Sequence, residues 1–253
     1  MPFIELQTID STNNYALSQI HAGLAQHGLT IFSHEQTAGK GHRGKKWASS
    51  TGVNIALSSI IKPAPLAVAQ QFQLSACMAV ATQEFFRKYA GDNTKIKWPN
   101  DLYWKDRKAG GILIESVVRS QESGVRSRER GANGWQWAVI GIGININQTS
   151  FSPDLPNPVS LKQITGKNCD TIDLAKELCG LLNYHFEKLV NGGFKEIYVQ
   201  YLSHLYKINE RVKLKKGNRV FETMIKGVSP AGRLVVQHSI EEEFDFGSVE
   251  WMI

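Results

Sequence analysis

The sequence predicts a protein of mixed strands and helices in two parts, a large first unit and a small all-β unit behind it. Three observations carry this. Runs rich in β-branched and aromatic residues (29–34, 53–57, 135–147) alternate with helix-period stretches (from Ser11, 70–89, 171–190) through the first 205 residues. After Tyr206 the helical period stops, and short alternating segments follow, separated by Gly217-Asn218, Pro230-Ala231-Gly232 and Gly247-Ser248. Finally, 253 residues, 42% hydrophobic and 21% charged, suffice to bury a sizeable core.

Composition sets outer bounds on function. The net charge of +6 favours anionic partners without distinguishing a nucleotide from a nucleic acid. No apolar run is long enough to span a bilayer, and Met1-Pro2-Phe3-Ile4-Glu5 lacks the layout of a signal peptide, so a cytoplasmic protein is expected. Cys77, Cys169 and Cys179 are odd in number and lack metal-site spacing, which points to reduced core thiols. The seven histidines form no His-x-x-x-His pair, so no metal held tightly by protein alone is expected.

Residues 3–6 read as a strand, and Asp10-Ser11-Thr12-Asn13 supplies N-cap residue types ahead of Ala16, Ile20 and Leu24, which share one helical face. Ser11, Thr12 and Asn13 read either as caps alone or as small polar groups presented to a ligand ring. Strand 29–34 then delivers the chain into Glu35–Trp47, where Gly39, Gly41 and Gly44 stand among Lys40, Arg43, Lys45 and Lys46, with His42 between. Pliable backbone carrying cations can wrap a phosphate and a carboxylate together; a solvated basic turn, or one that touches nucleic acid, is the other reading.

A returning strand at 53–57 anchors the loop's far end. Pro63 and Pro65 precede helix 70–89, whose Phe72, Ala76, Ala79, Gln83 and Phe86 make a core face. Next, Lys97-Trp98-Pro99-Asn100-Asp101 leads into strands 102–104 and 108–115. A turn centred on Asp106 would bring Asp101 beside Lys108, while Gly110-Gly111 marks a bulge or the close approach of a ligand. Residues 119–134 are polar and aperiodic, a mobile excursion. Strand 135–147 carries Gly141 and Gly143, which leave room for a flat group but make no dinucleotide fingerprint. Pro153, Pro156 and Pro158 mark irregular chain before helix 171–190, capped by Asp170 and closed by Gly192-Gly193, and a shorter helix at 194–205. Segments 211–214, 219–225, 233–237, 243–246 and 249–252 then form a small barrel.

Taken in order, Asp10 to Asn13, Gln36 to Gly41, Trp47, Lys97 to Asp101, Lys108 to Glu115, Gly141 to Asn145 and the small barrel resemble the biotin protein ligases, of the monofunctional type without an N-terminal DNA-binding domain. The resemblance implies an α+β catalytic domain, 1–205, whose mixed sheet and flanking helices are related to class II aminoacyl-tRNA synthetases, and an SH3-like β-barrel, 206–253. It implies two steps: biotin and ATP with Mg²⁺ give biotinyl-5′-AMP, and a lysine of a biotin carboxyl carrier protein domain takes the biotinyl group. The same likeness implies a monomer or homodimer that works without DNA or a membrane.

Two like charges about 4 Å apart repel by roughly 4 kcal/mol at an effective dielectric near 20, so biotin's carboxylate and the α-phosphate need cations between them. By similarity, Arg43, Lys108, Asp101 and Lys97 are the catalytic candidates. Ser11, Thr12, Asn13, Gln36, Gly39, Lys40, Gly41, His42, Lys108, Gly110 and Gly111 would hold biotin. Lys40, Arg43, Trp47, Asn100 and Asn145 would hold ATP, its Mg²⁺ lying near Asp101. The incoming lysine, with an ordinary pKa of about 10.4, must lose a proton to attack, and Asp101 is the candidate to orient it and take that proton. The chain departs from the family in placing His42 after the loop's second glycine, where arginine is common; Arg43 is expected to substitute, its permanent charge suiting phosphate. Lipoate protein ligases, whose arginine-rich segment and triple glycine are missing here, and a basic nucleic-acid-binding module are the alternatives.

Overall fold

The computed structural model describes residues 2–118 and 134–252. Seven strands form one sheet: β1 (Phe3–Ile9), β2 (Thr30–Gln36), β3 (Ile55–Ile61), β4 (Thr94–Lys97), β5 (Asp101–Trp104), β6 (Arg107–Val118) and β7 (Trp135–Ile144). Their spatial order is β1-β2-β3-β7-β6-β5-β4, with β1 and β2 parallel and every other neighbour antiparallel. Five helices flank it: α1 (Thr12–His21), α2 (Gln71–Ala90), α3 (Leu161–Thr165), α4 (Thr171–Val190) and α5 (Phe194–Ser203). This is the α+β arrangement the sequence implies.

The two faces of the sheet are covered unequally. On one side α2 and α4 pack over the main core, which takes Ile55, Leu57 and Ile61 of β3 and Ile140, Ile142 and Ile144 of β7. On the other, α1 covers only a small cluster around Ala16, Ile31, Ile60 and Val139. Alternate residues of a strand point to opposite faces, so the α1 side receives Ser58 of β3 and Gly141 and Gly143 of β7. One helix cannot cover seven strands, and the uncovered part of this face is where the pocket lies.

Helix ends follow their residues. Asp170 caps α4 by accepting from the backbone N–H groups of Ile172 and Asp173, both at 2.9 Å. Helix α1 stops at His21 because Gly23 turns into the left-handed region (φ 72°), leaving Leu24, expected on its apolar face, 62% exposed. Strand β4 and helix α3 are not foreseen by the pattern; both are under six residues, too short for a period to show. The excursion expected at 119–134 lies outside the described residues except for Gly134. Cys77 and Cys179 are buried, and all three thiols are free.

After α5 a second, wholly antiparallel sheet follows: β8 (Arg211–Lys216), β9 (Arg219–Val228), β10 (Leu234–Gln237), β11 (Glu241–Phe244) and β12 (Glu250–Trp251), ordered β11-β10-β9-β8-β12. Its buried Leu214, Ile225, Leu234 and Val236 join the main core, so the small sheet is packed against the large one.

Candidate functional site

The pocket floor is set by strand register. Ser58, Gly141 and Leu113 stand in one row across β3, β7 and β6, and Ala56, Gly143, Gly111 and Asp101 in the next, which extends to β5. A methyl group at Gly141 would collide with the Asn13 carboxamide, and one at Gly143 with the Trp47 indole. At Gly111 it would stand 3.1 Å from an Asp101 carboxylate oxygen. These three glycines keep the floor flat. Walls come from Ser11, Thr12 and Asn13 at the start of α1, from Gln36, Lys40, Gly41, His42 and Trp47 of the basic loop, and from Asp101 and Lys108 of the hairpin.

One end of the pocket is a buried hydrogen-bond chain. Ser11 holds the N-cap position of α1 but its side chain makes no capping bond, so capping alone does not account for the polar run. Gln36 Oε1 accepts from the Thr12 backbone N–H at 2.8 Å and from its hydroxyl at 3.1 Å. Ser58 Oγ donates to Asn13 Oδ1 at 2.5 Å and lies 2.7 Å from Thr12 Oγ1. Asn13 Nδ2 in turn donates to Glu115 Oε2 at 2.6 Å, which fixes the orientation of the amide. Ser11, Thr12, Asn13 and Ser58 are all at most 3% exposed.

The other end gathers charge. Lys108 Nζ pairs with Asp101 at 2.7 Å, the meeting expected across this hairpin; a register shift at Ala109 puts the two side chains on the same side of the sheet. Lys40 Nζ reaches Glu115 Oε1 at 3.4 Å, and His42 Nε2 donates to the Ile112 carbonyl at 2.8 Å. Behind them Lys97 is held by Tyr103, whose hydroxyl is 3.1 Å from Nζ, and by the Trp251 ring at 5.3 Å. Burial, with Lys108 and Lys45 adding repulsion, depresses the Lys97 amine to about 8 against the pull of Asp101.

The remaining expected site residues stand outside the lining. Gly110 neighbours Gly111 in sequence, so it faces the other side of the sheet, where a Cβ would meet the Gly143 carbonyl oxygen at 2.7 Å. Gly39 packs under the Trp47 carbonyl. Asn145 is committed to backbone, its Nδ2 donating to the Val159 carbonyl at 3.1 Å. Asn100 is buried, donating to Ser75 at 3.3 Å while its Oδ1 has no partner. Arg43 turns toward the small sheet, its guanidinium over the Phe246 ring. The sequence reading misses Ser58 and Glu115; a serine pair inside the apolar run of β3 is the one signal that marks Ser58.

Comparison with known proteins bears on this geometry. Residues 5–145 match the biotin/lipoate A/B protein ligase family. The bifunctional ligase/repressor BirA of Escherichia coli (strain K12) is 32% identical over 240 residues, covering 92% of this chain and 68% of the relative. This chain belongs to the biotin/lipoate A/B protein ligase family. The biotin--[acetyl-CoA-carboxylase] ligase of Paracoccus denitrificans is 28% identical over 238 residues, 92% of each chain. A solved biotin protein ligase from Aquifex aeolicus, in complex with biotin and ATP, shares this ligase-family fold with a TM-score of 0.79 at 23% identity, covering 99% of this chain and 98% of that one. Among the described residues no helix is long and apolar enough to cross a membrane, and no His, Cys, Asp or Glu cluster could hold a metal ion by itself.

Proposed function

We propose that this chain is a biotin protein ligase: it joins biotin to ATP as biotinyl-5′-AMP, releases pyrophosphate, and passes the biotinyl group to a lysine of a biotin carboxyl carrier protein. One observation carries the reading. A neutral, buried hydrogen-bond chain and a cation cluster share a single pocket, as an acid with a polar ring at one end and a carboxylate at the other requires. We assign residues 1–205 to the catalytic domain and 206–253 to an SH3-like domain.

Thr12, Asn13, Gln36 and Ser58 offer donors and acceptors to a ureido ring, and Gly111, Gly141 and Gly143, carrying no side chains, let Asp101, the Asn13 carboxamide and the Trp47 indole lie close to the sheet around it. Lys108 and Lys40 then lie between carboxylate and phosphate. Both pair with carboxylates, Asp101 and Glu115, which incoming anions would displace or share. Trp47, resting on Gly143, flanks the adenine. Magnesium suits the donors present: the Asp101 carboxylate and the unpartnered Asn100 Oδ1 are hard oxygens of the kind it takes, phosphates and water completing its shell. Bound with ATP, it would neutralise phosphate charge.

For the transfer step, Asp101 stands beside Lys108 at the pocket edge, and once Lys108 turns to the mixed anhydride its carboxylate is free to take a proton from the attacking amine. Biotin-dependent exchange of labelled pyrophosphate into ATP tests the first step; its failure removes the proposal. Asp101→Ala is expected to keep exchange and lose transfer to carrier protein, and full transfer by that variant would remove the role given to Asp101.

A further inference from the structure

Two segments far apart in the chain meet at the mouth of the pocket. The turn between β11 and β12 carries Phe246 and Gly247 out of the small sheet and onto the basic loop. The Phe246 ring meets His42 edge-on at 5.2 Å between centroids, meets Trp98 at 5.8 Å, and lies 5.5 Å from the Arg43 guanidinium carbon. Beside it the guanidinium occupies the space that a side chain at Gly247 would fill, and Gly247 has φ 79°, so this residue type is required twice over. Arg43 itself sits in the left-handed region at φ 57°, a conformation that a non-glycine residue keeps only when its surroundings impose it. It belongs to a tight hairpin turn with Gly44 (φ 73°), closed by Lys45 N–H donating to the His42 carbonyl at 3.2 Å and by the Lys40–Lys46 pairing, and the turn's tip is what rests on Phe246 and Gly247.

The base on which this turn stands is anchored. Trp98, next to Lys97, donates its indole N–H to the Gly232 carbonyl of the small sheet at 2.9 Å, and Trp251 of β12 covers Lys97. The small sheet is thus fastened to the Lys97–Asp101 run, and Phe246 projects from it 47% exposed. A half-exposed phenylalanine that carries a guanidinium over its ring and meets a histidine edge-on has a use that core packing does not supply.

We propose that Phe246, seated by Gly247, is a positioning residue for the basic loop, holding His42 and Arg43 at the pocket mouth where nucleotide phosphates arrive. His42 lines the pocket and is fixed from both sides, by the Ile112 carbonyl and by Phe246; Arg43 is held one residue further out. The inference rests on the biotin-ligase reading for its kinetic consequence but not for its structural one.

The test therefore has two arms. In the structural arm, limited trypsin digestion of the free protein reads cleavage after Arg43. Phe246→Ala is expected to raise that rate about two- to fivefold, the scale of a lost exposed cation–π contact, and Phe246→Tyr to restore it; equal rates in wild type and Phe246→Ala overturn the proposal. In the kinetic arm, Phe246→Ala is expected to raise the KM for ATP in biotin-dependent exchange by about tenfold with kcat changed less, biotin affinity without ATP unaltered, and Phe246→Tyr near wild type. Arg43→Ala should raise the same KM, and the double variant should fall short of the product of the two single losses, what remains being the part carried by His42. Multiplicative losses in the double variant, or a matching loss of biotin affinity, overturn the positioning role. A wild type that performs no exchange at all sinks the ligase reading instead, and the trypsin arm still decides whether Phe246 orders the loop.

Discussion

The two ends of the pocket are built on different plans. At the polar end every anchor is bonded to protein, and Thr12, Asn13 and Ser58 are buried: Gln36 to Thr12, Ser58 to Asn13, Asn13 to Glu115. At the basic end the anchors are provisional. Lys108 and Lys40 are a third exposed and rest on carboxylates, and Arg43 rests on a ring from the other sheet. Neutral donors and acceptors satisfy one another within the protein, whereas a cluster of cations repels itself and is held by counter-charges. The polar end is therefore fixed by hydrogen bonds, and the basic end by part-exposed ion pairs that salt and competing anions weaken.

The sharpest test separates the ends by substitution. Lys108→Ala is expected to lower adenylate formation by about 10²–10³-fold, the scale for removing one preorganised charge from a developing anion, while calorimetric biotin affinity falls far less. Equal losses in both would erase the distinction. Gly141→Ala acts at the opposite end, because its methyl group meets the Asn13 carboxamide. Overpacking of this kind costs about 1–3 kcal/mol, and it should appear as weaker biotin binding in the same calorimetry, with the rate at saturating biotin much less affected. An unchanged affinity would mean that the polar end yields as readily as the basic one.

The smallest effect belongs to Lys97. Its amine is depressed in the folded protein to about 8, against an ordinary 10.5, so between those values the unfolded chain holds a proton that the folded one has released. Stability from this group accordingly rises as pH goes from about 8 to about 10.5, and below that window the buried charge is a constant burden. Lys97→Met should flatten this part of the stability curve, as measured by denaturant melts at pH 7.5 and 10. A slope identical to wild type would show that Lys97 is better hydrated than its aromatic neighbours suggest.

How legible all this was depended on the range of the contact. The α1 run, the basic loop and the Lys97–Asp101 hairpin are local patterns, and Asp101 does meet Lys108, though through a bulge at Ala109 that the turn's centre alone does not dictate. Gly110 and Gly111 show the limit: both announce an irregular strand, but which of them faces the pocket depends on pairing with β5 and β7. Ser58, Glu115 and Phe246 are invisible to local reading, since each matters through a partner between 45 and 204 residues away. Arg43 illustrates a further obstacle. Its charge is plain in the sequence, but its direction is set by a glycine in the other sheet.

One irregularity in the hairpin reaches further than its size. Opposite Leu102 and Tyr103 the β6 strand pairs through Gly110 and Lys108, with Ala109 as an extra residue, its carbonyl accepting from the Asn145 backbone N–H at 2.8 Å. Positions 108 and 111 differ by an odd number, so an unbroken strand would send their side chains to opposite sides. The surplus residue resets the parity and lets an ammonium group and a bare backbone patch share the same side of the sheet. Point substitution cannot undo that arrangement; deleting one alanine would carry the ammonium through to the helix-packed side.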